Sequence, residues 1–189
     1  MVVVTIGLLL GLVVGWIRKG SFWALGNLSM RGLWLVALAF FLQSLAIHSL
    51  HGTAYILVLS AGYVGMMGFA GLNLHTAGIP WMATGTVANF TVMVMNGMGM
   101  PAYLPVVQHY SPQLVPLLLA GRLGKSIAMT PDTRLNFLGD IFTFKVASFV
   151  SLFSVGDVLI AVGLAVLLQY LMTHPKGGVV SGSIQKTAP

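Results

Sequence analysis

The chain has 189 residues, of which 57% are hydrophobic and only 6% are charged, and its mean hydropathy is +0.94. A soluble domain could not carry so apolar a composition on its surface, which excludes a soluble globular protein and indicates an integral membrane protein. The nine Lys and Arg residues are scattered over loops, which excludes a nucleic-acid partner, and the absence of cysteine excludes disulfides and a thiol nucleophile.

Five apolar segments predict an all-α, polytopic membrane fold. They cover residues 2–17, 33–47, 54–72, 81–95 and 158–172. Because a helix needs about 20 residues to cross the hydrocarbon core, we expect about five transmembrane helices in a single membrane domain over residues 1–172. A polar tail, residues 173–189, is predicted to be disordered and cytoplasmic. In the third segment, close helix packing is predicted along a face of glycines, namely Gly62, Gly65, Gly68 and Gly71.

The charges that follow the first segment predict its orientation. Arg18 and Lys19 come after the apolar run, whereas a cleavable signal peptide carries its positive charge before it, so we interpret the segment as a retained helix. The positive-inside rule places Arg18, Lys19 and Arg31 in the first cytoplasmic loop. The N-terminus is therefore predicted outside and the C-terminus in the cytoplasm of a plasma-membrane protein whose main partner is the lipid bilayer.

The long outer stretch between the fourth and fifth segments is too apolar for a free loop, and we predict one or two interfacial amphipathic helices in it, at two candidate positions. In residues 114–129, Arg122 and Lys125 lie three apart, which suits a helix whose basic side faces lipid headgroups. In residues 142–153, an apolar helical face is formed by Phe142, Val146, Phe149 and Phe153, and a polar one by Lys145, Ser148 and Ser151.

Only three acidic side chains occur in the chain, and all three fall in one window: Asp132, Asp140 and Asp157. Two carboxyl groups that approach each other at a membrane boundary tend to share one proton, so one can act as a base and the other as an acid. Asp140 and Asp157 would lie about 25 Å apart on one straight helix, so a pair requires the chain between them to fold back. The alternative is that Asp157 forms a capping box with Ser154, that Arg134 holds Asp140, and that Asp132 is a turn residue.

A resemblance favours the pair. Asp132-Thr-Arg134, Phe137-Leu-Gly-Asp140 and Phe153-Ser-Val-Gly-Asp157 resemble the C-terminal half of lipoprotein signal peptidase (signal peptidase II). The resemblance implies a membrane aspartic peptidase with Asp140 and Asp157 as its catalytic residues at the outer face, and a membrane-anchored or lipid-modified polypeptide as substrate. It implies no cofactor. Candidate substrate-binding residues are Asn89, Asn96, Arg134 and Ser154.

The whole chain is also similar to an uncharacterised family of small bacterial multi-pass membrane proteins. The similarity lies in three blocks, Asn96-Gly-x-x-Met-Pro101, Leu138-Gly-Asp140 and Phe153-Ser-x-Gly-Asp157. It implies a bacterial plasma membrane but no established activity.

A non-enzymatic membrane protein, either a scaffold or a Met/His metal binder, remains the alternative. Soft thioethers can bind Cu(I), and four of them cluster at the outer end of the fourth segment: Met93, Met95, Met98 and Met100. His48, His51 and His109 are predicted on the same side. Because methionine is more often an adaptable packing residue, we predict no metal site.

Overall fold

The computed structural model describes residues 2–27, 30–146 and 149–174. Most of the described chain forms five long helices, which match the five apolar segments to within three residues at each end. These are α1 (Val2–Ile17), α2 (Leu33–Ser49), α3 (Gly52–Leu72), α4 (Ile79–Met95) and, after the long outer stretch, α7 (Val155–Thr173). The predicted tail lies, from position 175 onwards, outside the described residues.

Two of these helices, α3 and α7, are long and apolar enough to cross a membrane. Only 28% of the most apolar window of each is buried inside the protein, whereas the core helix of a soluble protein would be mostly buried. The other three are also apolar but have 16 or 17 residues each. The finding supports membrane association, and about five spans stays a prediction.

Helix contacts give the direction of each helix. α1 runs parallel to α7, because Gly7 packs on Ala161 and Gly15 on Met172. α4 runs antiparallel to α7, because Gly85 meets Gly156 while the start of α4, at Ile79, packs near Leu167.

Helices α2 and α3 are also antiparallel to each other. Gly62 of α3 contacts Gln43 of α2, and Gly68 contacts Leu35. Three of the four predicted glycines of α3 thus face α2, while a side chain at Gly71 would meet open space. We call the end of the bundle at which α7 begins the aspartate end, and the end at which α7 finishes the tryptophan end.

All four tryptophans lie at or near the tryptophan end, and each is more than half exposed. They are Trp16 in the last turn of α1, Trp23 in the 3-10 helix Phe22–Asn27, and Trp34 and Trp81 in the first turns of α2 and α4. Arg18, Lys19 and Arg31 lie at the same end. Exposed tryptophans next to basic residues are typical of a membrane–water interface.

The stretch between α4 and α7, at the aspartate end, contains short helices and strands, so the all-α prediction is incomplete. In chain order it contains β1 (Met100–Ala102), α5 (Leu104–Tyr110), α6 (Val115–Leu119), β2 (Ser126–Ala128), β3 (Phe142–Val146) and β4 (Phe149–Phe153). β1 and β2 pair in parallel, and β3 and β4 pair antiparallel.

Both predicted interfacial helices are wrong. In residues 114–129 the helix ends at Leu119, because Gly121 and Gly124 adopt positive φ angles of 63° and 59°, and the chain continues into β2. β3 and β4 form an antiparallel hairpin instead, in which Phe142 pairs with Phe153. Of the predicted polar face, Ser148 lies outside the described residues, and of the predicted apolar face, Val146 and Phe149 are described by their backbone alone.

Candidate functional site

Asp157 lies in the first turn of α7, in the capping box that its spacing from Ser154 predicted. The backbone N–H of Asp157 donates to Ser154 Oγ at 3.0 Å, and the backbone N–H of Ser154 donates to Asp157 Oδ2 at 3.1 Å. The pair satisfies backbone donors that the start of a helix leaves without partners. The capping role is therefore confirmed, and it leaves the second carboxylate oxygen, Oδ1, for another partner.

Asn89 of α4 provides that partner. Its Nδ2 donates to Asp157 Oδ1 at 2.9 Å, and its Oδ1 accepts a hydrogen bond of 2.8 Å from Ser154 Oγ. Asn89 and Ser154 are both buried. The bridge requires α4 and α7 to approach closely, and the facing glycines Gly85 and Gly156 allow this. Each oxygen of Asp157 thus accepts a hydrogen bond.

Asp140 is positioned through its backbone, next to β1. Its N–H donates to the carbonyl oxygen of Pro101 at 2.8 Å, and its own carbonyl oxygen accepts from the N–H of Tyr103 at 3.1 Å. The preceding Gly139 packs so tightly on this strand that an added Cβ would lie 2.6 Å from the Pro101 oxygen. Close packing against β1 therefore explains why a glycine precedes Asp140.

The hairpin provides the fold-back that a pair of aspartates requires. β3 begins two residues after Asp140 and β4 ends four residues before Asp157. Burial, followed by the nearby charge of Asp157, raises the pKa of Asp140 to about 7, although the ammonium group of Lys125 opposes the shift. The two carboxyl groups thus influence each other, and the side chain that opposes the shift is that of Lys125, whereas the alternative interpretation had assigned this role to Arg134.

The sequence predicted that Lys125 faces lipid headgroups. This prediction is wrong, because its side chain turns inward. Its Nζ donates to the Tyr63 hydroxyl oxygen at 3.1 Å and lies 5.8 Å from the centre of that ring. Burial lowers the pKa of Lys125, but the Tyr63 oxygen and the charges of Asp157 and Asp140 raise it by more, so the net shift is upward. Tyr63 in turn donates to Met93 Sδ at 3.2 Å. Sequence reasoning missed both residues as site members.

Asn96 and Arg134 form a separate contact. Asn96 Nδ2 donates to the Arg134 carbonyl oxygen, and Asn96 Oδ1 accepts from the Arg134 N–H, both at 2.8 Å. The Arg134 side chain is exposed. Asn96 therefore fastens the loop that leads to Asp140. Asp132 lies exposed in a turn, as predicted.

The methionines are mainly packing residues. Met93, Met98 and Met100 are buried, and Met98 Sδ accepts a hydrogen bond from the Ser60 hydroxyl, whereas Met95 is 44% exposed. Within the described ranges, no group of three or more His, Asp or Glu side chains is placed to hold a metal ion. The burial of Met93, Met98 and Met100 fits the packing role that methionine usually has.

Residues 27–169 match the model of a family of unknown function, DUF5317. The chain belongs to DUF5317. The matched range includes Tyr63, Asn89, Lys125, Asp140 and Asp157. The family agrees with the expected uncharacterised family, and the likeness to signal peptidase II stays a prediction. No curated protein and no solved structure matches the chain significantly.

Proposed function

We propose that this DUF5317 protein is a multi-pass membrane peptidase of the aspartic type, with Asp140 and Asp157 as the acid–base pair. The observation that carries the proposal is the difference between the two carboxyl environments. Asp157 accepts hydrogen bonds at both oxygens, whereas burial and the charge of Asp157 raise the pKa of Asp140 to about 7. Two carboxyl groups in different environments are the pattern expected for separate acid and base roles.

The reaction is hydrolysis of a peptide bond. The carboxylate of Asp157 takes a proton from a water molecule, whose oxygen attacks the carbonyl carbon, while protonated Asp140 donates a hydrogen bond to the carbonyl oxygen. The carbon–nitrogen bond then breaks, and the leaving amine takes up a proton from the pair. Asn89 and Ser154 keep Asp157 in place, and Lys125 adds positive charge beside both carboxyl groups.

The expected substrate is a membrane-anchored or lipid-modified polypeptide. The pair lies at one end of a bundle whose helices carry many exposed apolar side chains, so a polypeptide held in the bilayer would present its boundary residues at the depth of the site. In the proposed topology, α1 to α4 and α7 are five spans of a bacterial plasma membrane, with the N-terminus and the aspartate end outside and the C-terminus in the cytoplasm. Exposed tryptophans beside Arg18, Lys19 and Arg31 support a cytoplasmic tryptophan end.

Three variants test the activity, because the chain has only three acids. The purified protein is incubated in vesicles with a lipid-modified reporter polypeptide, and the released soluble fragment is measured. Asp140→Asn and Asp157→Asn are each expected to lower the rate by at least about a hundredfold, the usual scale of an acid–base contribution. Asp132→Asn, in an exposed turn, makes the same chemical change and should leave the rate unchanged.

Retained cleavage in both site variants would sink the proposal. The remaining alternative is a non-enzymatic scaffold in which Asp157 only caps α7 and Asp140 only pairs with β1 through its backbone. That alternative predicts no release of the fragment by the unmodified protein, together with a lower melting temperature in Asp157→Asn.

A further inference from the structure

A cavity of about 470 Å³ opens at the aspartate end, with Lys125 in its wall. Its walls come from the end of α2, the start of α3, the turn after α4 and the loop before β2. The cationic or protonatable side chains on it are Arg122, Lys125 and His51, and the fifteen described residues that line it include no acidic one. The cavity therefore has the charge of a site for an anion.

Glycines make up much of the backbone around the cavity. Five of its lining residues are glycines, and the four at positions 52, 97, 121 and 124 have φ between 57° and 63°. A side chain added at Gly52 or Gly97 would meet no atom within 4 Å. Glycine thus leaves the backbone open to close approach by a ligand.

The first turn of α3 adds partial positive charge. α3 has 21 residues, and its N-cap residue, His51, makes no side-chain capping hydrogen bond. Gly52 and Tyr55 of this first turn line the cavity. Free N–H groups and the helix dipole at such a terminus favour a bound anion, and Arg122 and Lys125 line the same cavity.

We propose that this cavity binds an anionic phosphate group, carried by a phospholipid headgroup of net negative charge or present as the free ion. Arg122 makes the main charged contact, because the Nζ of Lys125 is already shared with Tyr63. Apolar Ile47, Leu50 and Ile127 line the same cavity, which provides a surface for the first carbons of a lipid chain. The proposal is independent of the peptidase activity.

Binding to the purified full-length protein in neutral detergent tests the proposal. The probes are inorganic phosphate, a short-chain phosphatidylglycerol and a short-chain phosphatidylcholine, each titrated by calorimetry. Phosphatidylglycerol should bind, with an affinity that falls as salt is raised, and Arg122→Gln should weaken it about tenfold or more, the usual value of a charged hydrogen bond. Arg122→Lys, which retains the charge, should restore part of the affinity.

Arg134→Gln is the matched control, because it removes the same charge from an exposed arginine at the same end, outside the cavity. Equal weakening by Arg134→Gln and Arg122→Gln would overturn the proposal in favour of diffuse surface attraction. Equal binding of phosphatidylcholine, or no binding of either anion, would also overturn it. Binding of inorganic phosphate as tight as that of phosphatidylglycerol would support the phosphate site and assign it to the free ion.

Discussion

Asp140 is the residue whose ionisation the fold alters most clearly. Its pKa rises from 3.8 to about 7 on burial beside Asp157. Since the folded state holds the proton more tightly than the unfolded chain, Asp140 contributes stability that is full below about pH 4 and is lost as the pH rises towards about 7. The change amounts to at most about 4 kcal/mol.

Asp140→Asn should therefore remove a pH dependence. We expect the melting temperature of the unmodified protein in detergent to fall between pH 4 and pH 7 relative to that of the variant, so that the variant becomes the more stable of the two near pH 8. Asp132→Asn, in its exposed turn, should retain the slope of the unmodified protein. Identical slopes in the unmodified protein and Asp140→Asn would show that Asp140 titrates normally.

Asn89 is the second residue with a testable role, because it joins α4 to the start of α7. Asn89→Ala would leave Asp157 Oδ1 and Ser154 Oγ without their partner, and we expect a loss of about 1–3 kcal/mol in the free energy of unfolding. Thr91→Ala is the control on the same helix, since the exposed Thr91 hydroxyl donates only to the Val87 carbonyl oxygen. Denaturant titration of both variants compares them, and equal losses would argue against the bridge.

The sequence predicted those contacts of the site whose two residues are close together in the chain, and it missed those whose residues are far apart. The Ser154–Asp157 capping box is local, and its spacing predicted it. Lys125 contacts Tyr63 across 62 positions of sequence, a distance at which no periodicity operates. The one available signal was a lysine beside Gly124 and Ser126 in a chain with few charges, and that signal did not identify a partner.

At the scale of elements, the contact between α4 and α7 decides whether Asn89 can reach Asp157. A methyl group at Gly85 would overlap the backbone oxygen of Gly156 and lie 2.9 Å from Ile160 Cγ1. Gly85→Ala should therefore separate the helices and lower stability by about 1–3 kcal/mol, as overpacking does. Thermal unfolding in detergent measures the change.

Gly71→Ala, on α3, is expected to raise the stability of the protein. A side chain there would meet no atom within 4 Å, so the higher helix propensity of alanine should stabilise the protein by up to about 1 kcal/mol. Destabilisation by both substitutions to the same extent would contradict the close approach at Gly85.

The five long helices were predictable because their apolar segments are long, whereas the hairpin was not. Phe142, Val146, Phe149 and Phe153 fit helical spacing, but the same segment is rich in aromatic and β-branched residues, which favour strands. A segment this short does not show by itself whether its apolar residues follow the period of a helix or that of a strand. Pairing of Phe142 with Phe153, whose rings stack at 5.6 Å, selects the hairpin.

At the scale of the whole molecule, the proposed topology places the two ends of the bundle on opposite faces of the membrane. The chain contains no cysteine, so single cysteines can be introduced without background. Gln113→Cys, exposed in the outer stretch, should react with a membrane-impermeant maleimide in intact cells, and Lys19→Cys, exposed after α1, should react only after permeabilisation. Labelling of both in intact cells would contradict the orientation.

The positions of the tryptophans determine what the intrinsic fluorescence of this protein can report. All four lie at or near the end opposite the aspartates, and in the proposed topology the indole fluorescence reports on the cytoplasmic boundary of the bilayer alone. An aqueous quencher added to one side of sealed, oriented vesicles should then dim nearly all of the signal or almost none of it. Events at Asp140 or in the cavity would leave that emission unchanged, so a silent fluorescence trace would say nothing about them.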